Sequence, residues 1–446
     1  MRILILAGVN ALAIGLNVLA AGATSSSDGM GLETAKWQAK IDAVAAQGGG
    51  IVAVGAGVHP VGTLFLRSHV ELRLEMGAVL SGSPDLGEYP PIQIPYSEQE
   101  PPWHAVIVAI DAVNVAVTGE GRLEGNGGSF NPKGRLRPRG LIFLRCRNVR
   151  VEGVTLKDSA SWMCYFKECD GVVARDVRID NHCNMNNDGF DIESSNVRIE
   201  NCDVDADDDA ICLKSDHPGF AMTNVVIRNC RASSICNALK IGTGTHGTVR
   251  GVEFGGCRVV PCRRRHRIMD GSFPGGAPAA IAISGIAVEC VDGGRVEDVW
   301  FHDIELNGQF IPVFVRLGVR PKRWSAPSLP VGKEHVLRNV LIENVRGAGR
   351  CWTASSLTGV PGHALENVTL RNVRLEMPGC GEGWNDYRNR DVPEVEGGYP
   401  EALMFGHILP AYGFYVRHAR NVKFEDVHVT TATDDSRPAV YKEDVK

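Results

Sequence analysis

The chain has 446 residues, 44% of them hydrophobic, and its 52 acidic and 47 basic side chains give a formal net charge of −5. This balance leaves no basic surface of the kind that a phosphate backbone requires, so nucleic acid is not an expected partner. At about 150 residues per domain the length suggests three domains, but repeat proteins grow by adding units and do not follow that rule.

The first residues have the pattern of an export signal. Arg2 precedes an apolar stretch over residues 3–19, which small residues follow. We predict a signal peptide over residues 1–23 and a single catalytic domain over 24–446, in a secreted or periplasmic protein. A membrane anchor is the alternative, but the stretch is short and two asparagines interrupt it, so we expect no membrane anchor.

The middle of the chain contains a repeat. A turn residue followed by alternating apolar positions recurs nine times, beginning at Asn148, Gly171, Asn196, Asn224, Gly251, Asp298, Asn339, Asn367 and Asn421. Alternation is the period of a strand. The first valines, at 149, 172, 197, 225 and 252, give steps of 23, 25, 28 and 27 residues by subtraction. We therefore predict an all-β, single-stranded, right-handed parallel β-helix whose stacked coils share one core.

Three further patterns bear on this architecture. Some later steps are longer, and we expect the extra residues to form loops or additional coils. A β-sandwich with irregular spacing is the alternative fold, but the sequence has few hairpin signals. Apolar residues at helical spacing over 32–46, with glycines at 48–50, predict a short N-terminal capping helix.

The thirteen cysteines invite a disulfide interpretation in an exported protein. However, Cys202, Cys230 and Cys257 fall at the same place in three successive copies of the repeat. We therefore expect these three to stack as small core residues.

Two acidic motifs lie about one coil apart. Residues 186–191 read Asn-Asn-Asp-Gly-Phe-Asp, and Asp208-Asp209 follow in DADDDAICLKS. The 20 residues from Asp188 to Asp208 are close to one turn of the solenoid, which would place the carboxylates side by side. With GGGIVAVGAGVHPVGTLFLRSHVELRLEMGAVLSG near the N-terminus, these motifs resemble the polygalacturonase-like, pectin-degrading glycoside hydrolases of family 28, whose fold is a pectin-lyase-like solenoid.

The resemblance implies an inverting hydrolase of a pectin-type polysaccharide or oligosaccharide, acting as a monomer and without a metal or other cofactor. Asp208 would be the general acid, and Asp188 with Asp209 would hold and deprotonate the water. Asn186 would orient Asp188 or a substrate hydroxyl. Inversion requires carboxyl groups roughly 6.5–9.5 Å apart, and crowded carboxylates raise one another's proton affinity. Turn capping or a calcium site is the alternative for this acidic run, to which Asp205 and Asp207 also belong.

Two motifs of the family are missing. Asn237 stands where the resemblance places a histidine, and we count it among the substrate-binding candidates. Ala287-Val288-Glu289 replaces an Arg-Ile-Lys that, in the family, binds a uronate carboxylate. A glutamate there would repel that carboxylate. His182 or His246 is a candidate substitute for the histidine, and a surface position is the alternative for each.

Strand alternation predicts a row of outward charges along a cleft. If Ile192, Leu213, Leu239, Val288 and Leu317 point inward, the outward substrate-binding candidates are Asp191, Lys214, Lys240, Glu289 and Arg316. The two lysines would hold an anionic substituent or keep an aspartate ionised, and the arginine would bind a sugar carboxylate. An ordinary solvated face is the alternative.

Aromatic residues offer further candidates. Trp162 is either a sugar platform or a core residue, and Trp384, Tyr387 and Tyr399 lie in an insertion near residues 378–412 that suits carbohydrate faces. Two other functions stay open: a polysaccharide lyase on the same fold, and a carbohydrate-binding β-helix without activity.

Overall fold

The computed structural model describes residues 31–97, 102–134, 136–264, 280–320, 332–381, 391–406 and 408–446. Leu32–Lys446 form one compact unit. The predicted signal peptide lies outside the described residues, and so do Trp384 and Tyr387. Within the described ranges, no helix is long and apolar enough to cross a membrane.

The described chain is almost entirely made of short parallel strands. One α-helix, α1 (Thr34–Ala46), comes first. The strands are β1 (Gly50–Val54), β2 (Gly57–Val61), β3 (Leu64–Phe65), β4 (Val70–Leu74), β5 (Ala78–Gly82), β6 (His104–Ile110), β7 (Val113–Gly119), β8 (Arg122–Glu124), β9 (Pro138–Leu144), β10 (Arg147–Glu152), β11 (Thr155–Lys157), β12 (Cys164–Arg175), β13 (Arg178–Asn181), β14 (Phe190–Glu200), β15 (Asp203–Ala206), β16 (Ile211–Ser215), β17 (Ala221–Arg228), β18 (Arg231–Ser234), β19 (Asn237–Thr245), β20 (Thr248–Gly255), β21 (Arg258–Val259), β22 (Ala282–Cys290), β23 (Arg295–Leu306), β24 (Gln309–Leu317), β25 (Val336–Ala348), β26 (Ser355–Thr358), β27 (Leu365–Met377), β28 (Phe414–Thr431) and β29 (Val440–Val445). Two 3₁₀ turns, Leu86–Glu88 and Gly127–Ser129, complete the set.

These strands stack into three parallel ladders. The first contains the repeats, and its register pairs the predicted valines one to one from Val149 through Val172, Val197 and Val225 to Val252. The second runs through β5, β8, β11, β13, β15 and β18. The third, called the cleft ladder below, runs through β6, β9, β12, β14, β16, β19, β22, β24 and β26. The predicted parallel β-helix is therefore confirmed, and the sandwich alternative is not supported.

The repeated turn residue has a conformational role. All nine copies have positive φ, from 51° at Asn421 to 76° at Gly171. Asparagine, aspartate and glycine tolerate this left-handed conformation best, which explains why the repeat begins with these three residue types. Val252 pairs directly with Val299, Val299 with Val340, and Val368 with Val422. The longer steps therefore contain loops rather than additional coils of the first ladder.

One continuous apolar core fills the solenoid. It includes the predicted inward residues Ile192, Leu213, Leu239, Val288 and Leu317. The cysteine prediction also holds, because Cys202, Cys230 and Cys257 are buried in this core and all thirteen cysteines are free. Helix α1 places Trp37 and Ile41 in the same core at its N-terminal end. Because α1 covers the first coil, the edge of β1 is not left open there.

Candidate active site

The acidic motifs occupy the turns that lead into successive strands of the cleft ladder. Asp188 lies two residues before β14, and Asp209 lies two residues before β16. Gly189 lets these turns stack closely, since a Cβ at this position would lie 2.4 Å from the Ala210 carbonyl oxygen. The Gly189 amide donates to the Asp209 carbonyl at 2.9 Å. Backbone stacking thus brings the two motifs together, as their one-coil separation predicts.

Asp208 and Asp209 are neighbours whose pKa values are shifted in opposite directions. Asp208 is partly exposed, and burial together with the Asp209 charge raises its pKa to about 6. Asp209 is buried, and burial alone would raise its pKa. The ammonium groups of Lys240 and Lys214 outweigh burial and lower the pKa of Asp209 below its ordinary value. One carboxyl is therefore set to carry a proton near neutral pH while its neighbour stays ionised.

Asp188 and Asp191 lie deeper, one coil earlier. Burial and the charges of Asp191 and Asp208 raise the pKa of Asp188 well above its ordinary range, and its Oδ1 has no hydrogen-bond partner. Burial raises the pKa of Asp191 to about 7, although Lys214 lies 3.5 Å away and opposes this. Two buried carboxyls that favour the protonated form thus lie beside the ionised Asp209.

Arg137 holds the loop that carries Asn186. Its guanidinium donates to the Asn186 Oδ1 at 2.8 Å and to the Ala160 carbonyl at 3.1 Å, and it also binds the Met185 carbonyl. The Asn186 amide in turn donates to the Asp208 Oδ2 at 3.4 Å. Asn186 therefore contacts Asp208, whereas the sequence analysis assigned it to Asp188 or to a substrate hydroxyl.

Asn237 takes a structural place beside Asp209. Its side-chain amide donates to the Asp209 Oδ1 at 2.9 Å, and its backbone amide donates to the same oxygen at 3.2 Å. The Ser284 hydroxyl binds the Asn237 Oδ1 and fixes the orientation of the amide. Where the family resemblance places a histidine, this chain therefore holds Asp209 with an oriented amide.

Lys240 joins Asp209 to Glu289. Its Nζ lies 2.9 Å from the Asp209 Oδ2 and 3.7 Å from the Glu289 Oε2. Burial would lower the pKa of Lys240, but Asp209 and Glu289 raise it well above its ordinary value. Burial raises the pKa of Glu289 to about 7 despite Lys240, and Thr243 donates to its Oε2 at 3.2 Å. The Glu289 Oε1 is buried without a hydrogen bond.

A turn of the late insertion adds Glu401 and Tyr399 to this cluster. Ala402 packs against Ile283 and Phe314 on the outer face of the cleft ladder. Burial and the Glu289 charge raise the pKa of the neighbouring Glu401 to about 8. The ring of Tyr399 is 45% exposed, and its hydroxyl lies 3.4 Å from the Thr243 hydroxyl.

The predicted row of outward charges lies on one face of the cleft ladder, but its members are buried. Asp191 pairs in register with Cys212, Cys212 with Lys240, and Glu289 with Arg316. Asp191, Lys214, Lys240, Glu289 and Arg316 are all buried. They are therefore not the solvated face that alternation alone left open.

Arg316 does not present its guanidinium to a cleft. Nη1 donates to the Gly359 carbonyl at 2.8 Å, and Nη2 donates to the Val395 carbonyl at 3.0 Å. The planar group lies 5.3 Å from the ring centre of Phe405. The guanidinium that was predicted to bind a sugar carboxylate therefore binds backbone carbonyl oxygens, and Arg316 anchors the late insertion instead.

Neither candidate histidine contacts the aspartate cluster through an observed hydrogen bond. The His182 ring lies between two carboxylates, with Nε2 2.9 Å from Asp205 and Nδ1 2.5 Å from Asp207. Burial opposes its charge, but these two carboxylates raise its pKa to about 9. His246 is buried, with Nδ1 3.8 Å from Asp292. Both are therefore buried beside carboxyl groups rather than exposed at the surface, and His182 is not placed to replace the missing histidine.

Trp162 belongs to an apolar cluster outside the solenoid core. It is buried against Trp103 and Tyr165, with ring centres 5.3 and 5.2 Å away. Arg139 lies 3.5 Å from the Trp103 ring centre, and the Lys214 Nζ lies 4.7 Å from that of Trp162. This ring supports the cationic groups beside Asp191 and does not form an open sugar platform.

The geometry of the acidic run does not fit the calcium alternative. One oxygen each of Asp208 and Asp209 lies within 4.8 Å of the other and of the Cys236 Sγ. Calcium takes six to eight oxygen ligands and does not use thiols. Asp205 and Asp207 are bound to His182, and Lys240 already neutralises Asp209. The acidic run is therefore split between two partners: Asp205 and Asp207 bind His182, whereas Asp209 binds Lys240.

Sequence reasoning missed Arg137, Arg139 and Glu401. Arg137 and Arg139 flank Pro138 in RPRGLIF, and their charge alternates with apolar residues at the start of β9, which is the signal that could have identified them. Glu401 comes from an insertion about 110 residues after Glu289, and no local sequence pattern predicts that it belongs to the site.

Known proteins resemble this chain at the levels of sequence and fold. The pattern of the glycosyl hydrolases family 28 matches residues 91–389. A probable polygalacturonase of Arabidopsis thaliana is 28% identical over 34% of this chain and 39% of its own length. A probable polygalacturonase of Vitis vinifera is 26% identical over 59% of this chain and 58% of its own length. The chain thus spans about half the length of these relatives.

Solved structures share the architecture. An exopolygalacturonase of Thermotoga maritima superimposes with a TM-score of 0.67 at 19% identity, over 89% of this chain and 88% of that one. A family 28 exopolygalacturonase of Yersinia enterocolitica gives a TM-score of 0.67 at 19% identity, over 94% and 75%. At this identity the likeness establishes the fold.

Proposed function

Since the chain belongs to the glycosyl hydrolases of family 28, we propose that it hydrolyses a glycosidic bond of a pectin-type polysaccharide or oligosaccharide outside the cytoplasm. Export is inferred from the N-terminal residues. The observation that supports hydrolysis best is the pair of unlike aspartates. Asp208 is partly exposed with a pKa raised to about 6, while Lys240 and Asn237 keep Asp209 ionised.

Asp208 is the general acid in this proposal. It donates its proton to the leaving glycosidic oxygen, since it is the one aspartate of the two acidic motifs that is both partly exposed and readily protonated. The Asn186 amide, held by Arg137, orients the Asp208 Oδ2. Loss of the proton then leaves a carboxylate close to Lys240 and Lys214, whose charges favour that ionised form.

Asp209 supplies the negative charge that activates water, and Asp188 positions that water. The nearest oxygens of Asp208 and Asp209 are within 4.8 Å, below the ~6.5 Å that an inverting pair leaves for water. The attacking water is therefore assigned to the Asp188 side of Asp209. With the water on that side, the proposal predicts inversion at the anomeric carbon, which proton NMR of the first product would test.

The lyase alternative needs a basic side chain that loses its proton near neutral pH. Lys240 is unsuited to this role, because Asp209 and Glu289 raise its pKa well above the ordinary value. The hydrolase is therefore favoured, and no second function is proposed.

The test measures reducing-end release from pectic and neutral polysaccharides by the wild type and by Asp208→Asn. Loss of an acid catalyst should lower the rate by about 10²–10⁴-fold. Asp203→Asn is the matched control, since Asp203 lies in the same coil but binds Arg231 and Arg263, and it should keep near wild-type activity. Unsaturated, ultraviolet-absorbing products would indicate a lyase instead. Glycan binding without any cleavage would indicate a binding protein.

A further inference from the structure

The charged groups around the aspartates are unevenly divided along the solenoid axis. The early side consists of Arg137, Arg139, Asp188, Asp191 and Lys214. Lys214 belongs to β16, but its Nζ points back to Asp191 at 3.5 Å and to the ring of Trp162, one and two coils earlier. The early side therefore has three cations and two carboxyls.

The late side consists of Asp209, Lys240, Glu289 and Glu401. It has one cation and three carboxyls. Arg320, the next nearest cation to Glu289, is bound by the two oxygens of Asp292 at 2.6 Å. Lys240 is shared between Asp209 at 2.9 Å and Glu289 at 3.7 Å. No cation among the described residues is therefore left on the late side to bind an added carboxylate.

The late side has the groups that suit an uncharged sugar. Glu401 is partly exposed, and the buried Oε1 of Glu289 lacks a hydrogen bond. Carboxyl oxygens accept hydrogen bonds from sugar hydroxyls when ionised and can also donate when protonated. The exposed ring of Tyr399, tied to Glu289 through Thr243, offers an apolar surface for the C–H face of a sugar ring.

A uronic acid on the late side would face two electrostatic costs. Its carboxylate would lose water, and among the described residues no cation of the late side is left to compensate for that loss. At a pH above the raised pKa values of Glu289 and Glu401, these two carboxyls would also be ionised and would repel it. On the early side the same carboxylate would approach the positive field of Arg139 and Lys214. The same sugar is thus favoured on one side of the scissile bond and disfavoured on the other.

We infer that the late side, bounded by Lys240, Glu289, Tyr399 and Glu401, binds an uncharged sugar, and that the scissile bond joins this sugar to an acidic sugar on the early side. This inference rests on the proposed hydrolase function. It names the substrate class of that site as a glycan in which acidic and uncharged sugars are neighbours.

The experiment uses partly methyl-esterified homogalacturonan, because esterification removes the charge of a sugar while keeping its ring and linkage. Mass spectrometry of the products gives the ester frequency on each side of every cleaved bond. The wild type should show esters about tenfold enriched on one side and free acids on the other. A galacturonate–rhamnose alternating polysaccharide should be cleaved faster than fully de-esterified homogalacturonan.

Two variants identify the side. At a pH above the raised pKa values of Glu289 and Glu401, Glu401→Gln and Glu289→Gln each remove a negative charge at constant size. Each should reduce the ester enrichment among the products several-fold. Glu396→Gln, an exposed residue of the same insertion, is the matched control and should leave the enrichment unchanged. Glu401 is partly exposed, so its variant should fold even if the Glu289 variant does not.

The outcomes are separable. Equal ester frequencies on both sides, or an enrichment that both variants leave intact, would overturn the inference and leave the hydrolase function standing. Preferred cleavage of fully de-esterified homogalacturonan would do the same. If every glycan stays uncleaved by the wild type, the proposed function and the inference both fail.

Discussion

The early and late sides of the cleft hold their aspartates by different means. On the early side Asp188 and Asp191 are buried with few hydrogen bonds, and both have raised pKa values. On the late side Asp209 is equally buried, yet Lys240, Lys214 and the side-chain amide of Asn237 lower its pKa. Burial therefore does not decide which carboxyl is charged. The distance to a cation and the number of amide donors decide it.

The largest expected effect comes from removing the one cation of the late side. Lys240→Met would remove the cation that Asp209 and Glu289 share and that lowers the pKa of Asp209 most, so Asp209 should take up a proton more readily and activate water less well. Breaking a buried pair in this way costs about 3–5 kcal/mol of stability. Cleavage should fall by at least about 10²-fold, measured as reducing-end release alongside thermal unfolding.

Lys214→Met is the counterpart on the early side. Lys214 lies 3.5 Å from an Asp191 whose pKa is already raised to about 7, so this pair carries less charge at neutral pH. Arg139 also remains beside Asp191. Lys214→Met should therefore lose clearly less activity and stability than Lys240→Met. Equal losses would show that the two sides do not differ as described.

A smaller effect is expected at Asn237. Asn237→Ala removes the side-chain donor to Asp209 and the partner of the Ser284 hydroxyl. A hydrogen bond to a charged group contributes about 1.5–3 kcal/mol, so a rate loss of about 10- to 100-fold is expected. The pH at which the rate falls on the acid side should rise, since Asp209 becomes easier to protonate. A pH–rate profile that keeps its acid limb would contradict the role of Asn237.

Buried carboxyls on both sides of the cleft make the stability of the protein depend on pH. The pKa is raised to about 7 in Glu289, about 8 in Glu401 and about 7 in Asp191, each from below 5. The folded protein therefore binds more protons than the unfolded chain between about pH 4 and pH 8, and stability falls as pH rises through this window. The raised pKa of His182, about 9, acts in the same direction, since its contribution is lost at still higher pH.

Thermal unfolding at pH 5.5 and pH 8 checks this sign, and the midpoint should be lower at pH 8. Glu401→Gln should reduce the difference modestly, because the group is partly exposed. Asp191→Asn should reduce it more. A midpoint that rises from pH 5.5 to pH 8 would contradict the assigned pKa shifts.

The repeat illustrates what a sequence can predict. A left-handed turn residue and alternating valines are local requirements, so the coils, their register and the inward residues could all be inferred from the chain. Asp188, Asp208 and Asp209 could be placed together because one coil has a nearly constant length. Each of these inferences needed only neighbours in the sequence or in the next coil.

The remaining features depend on contacts that no local pattern encodes. Alternation placed Arg316 and Glu289 outward, but whether loops or water cover that face depends on insertions far along the chain. Arg316 therefore anchors a loop, and Glu401 enters the site from that same insertion. His182 lies within the loop beside the motif, yet its ring turns to Asp205 and Asp207 on the second ladder.

The smallest predicted effect concerns how the late side is held in place. Arg316→Lys keeps the charge but loses the planar group that donates at once to the carbonyls of Gly359 and Val395. Loss of such donors costs about 1–3 kcal/mol, and it should loosen the insertion that carries Tyr399 and Glu401. We expect KM to rise a few-fold while kcat is nearly kept, because none of the described residues of this insertion forms a hydrogen bond with Asp208 or Asp209. Hydrogen exchange over residues 391–406 should increase in the variant, and exchange in β14 and β16 should not. A fall in kcat with unchanged KM would mean that the insertion acts on the aspartates themselves, and the late side would then be part of the catalytic cluster rather than a separate sugar site.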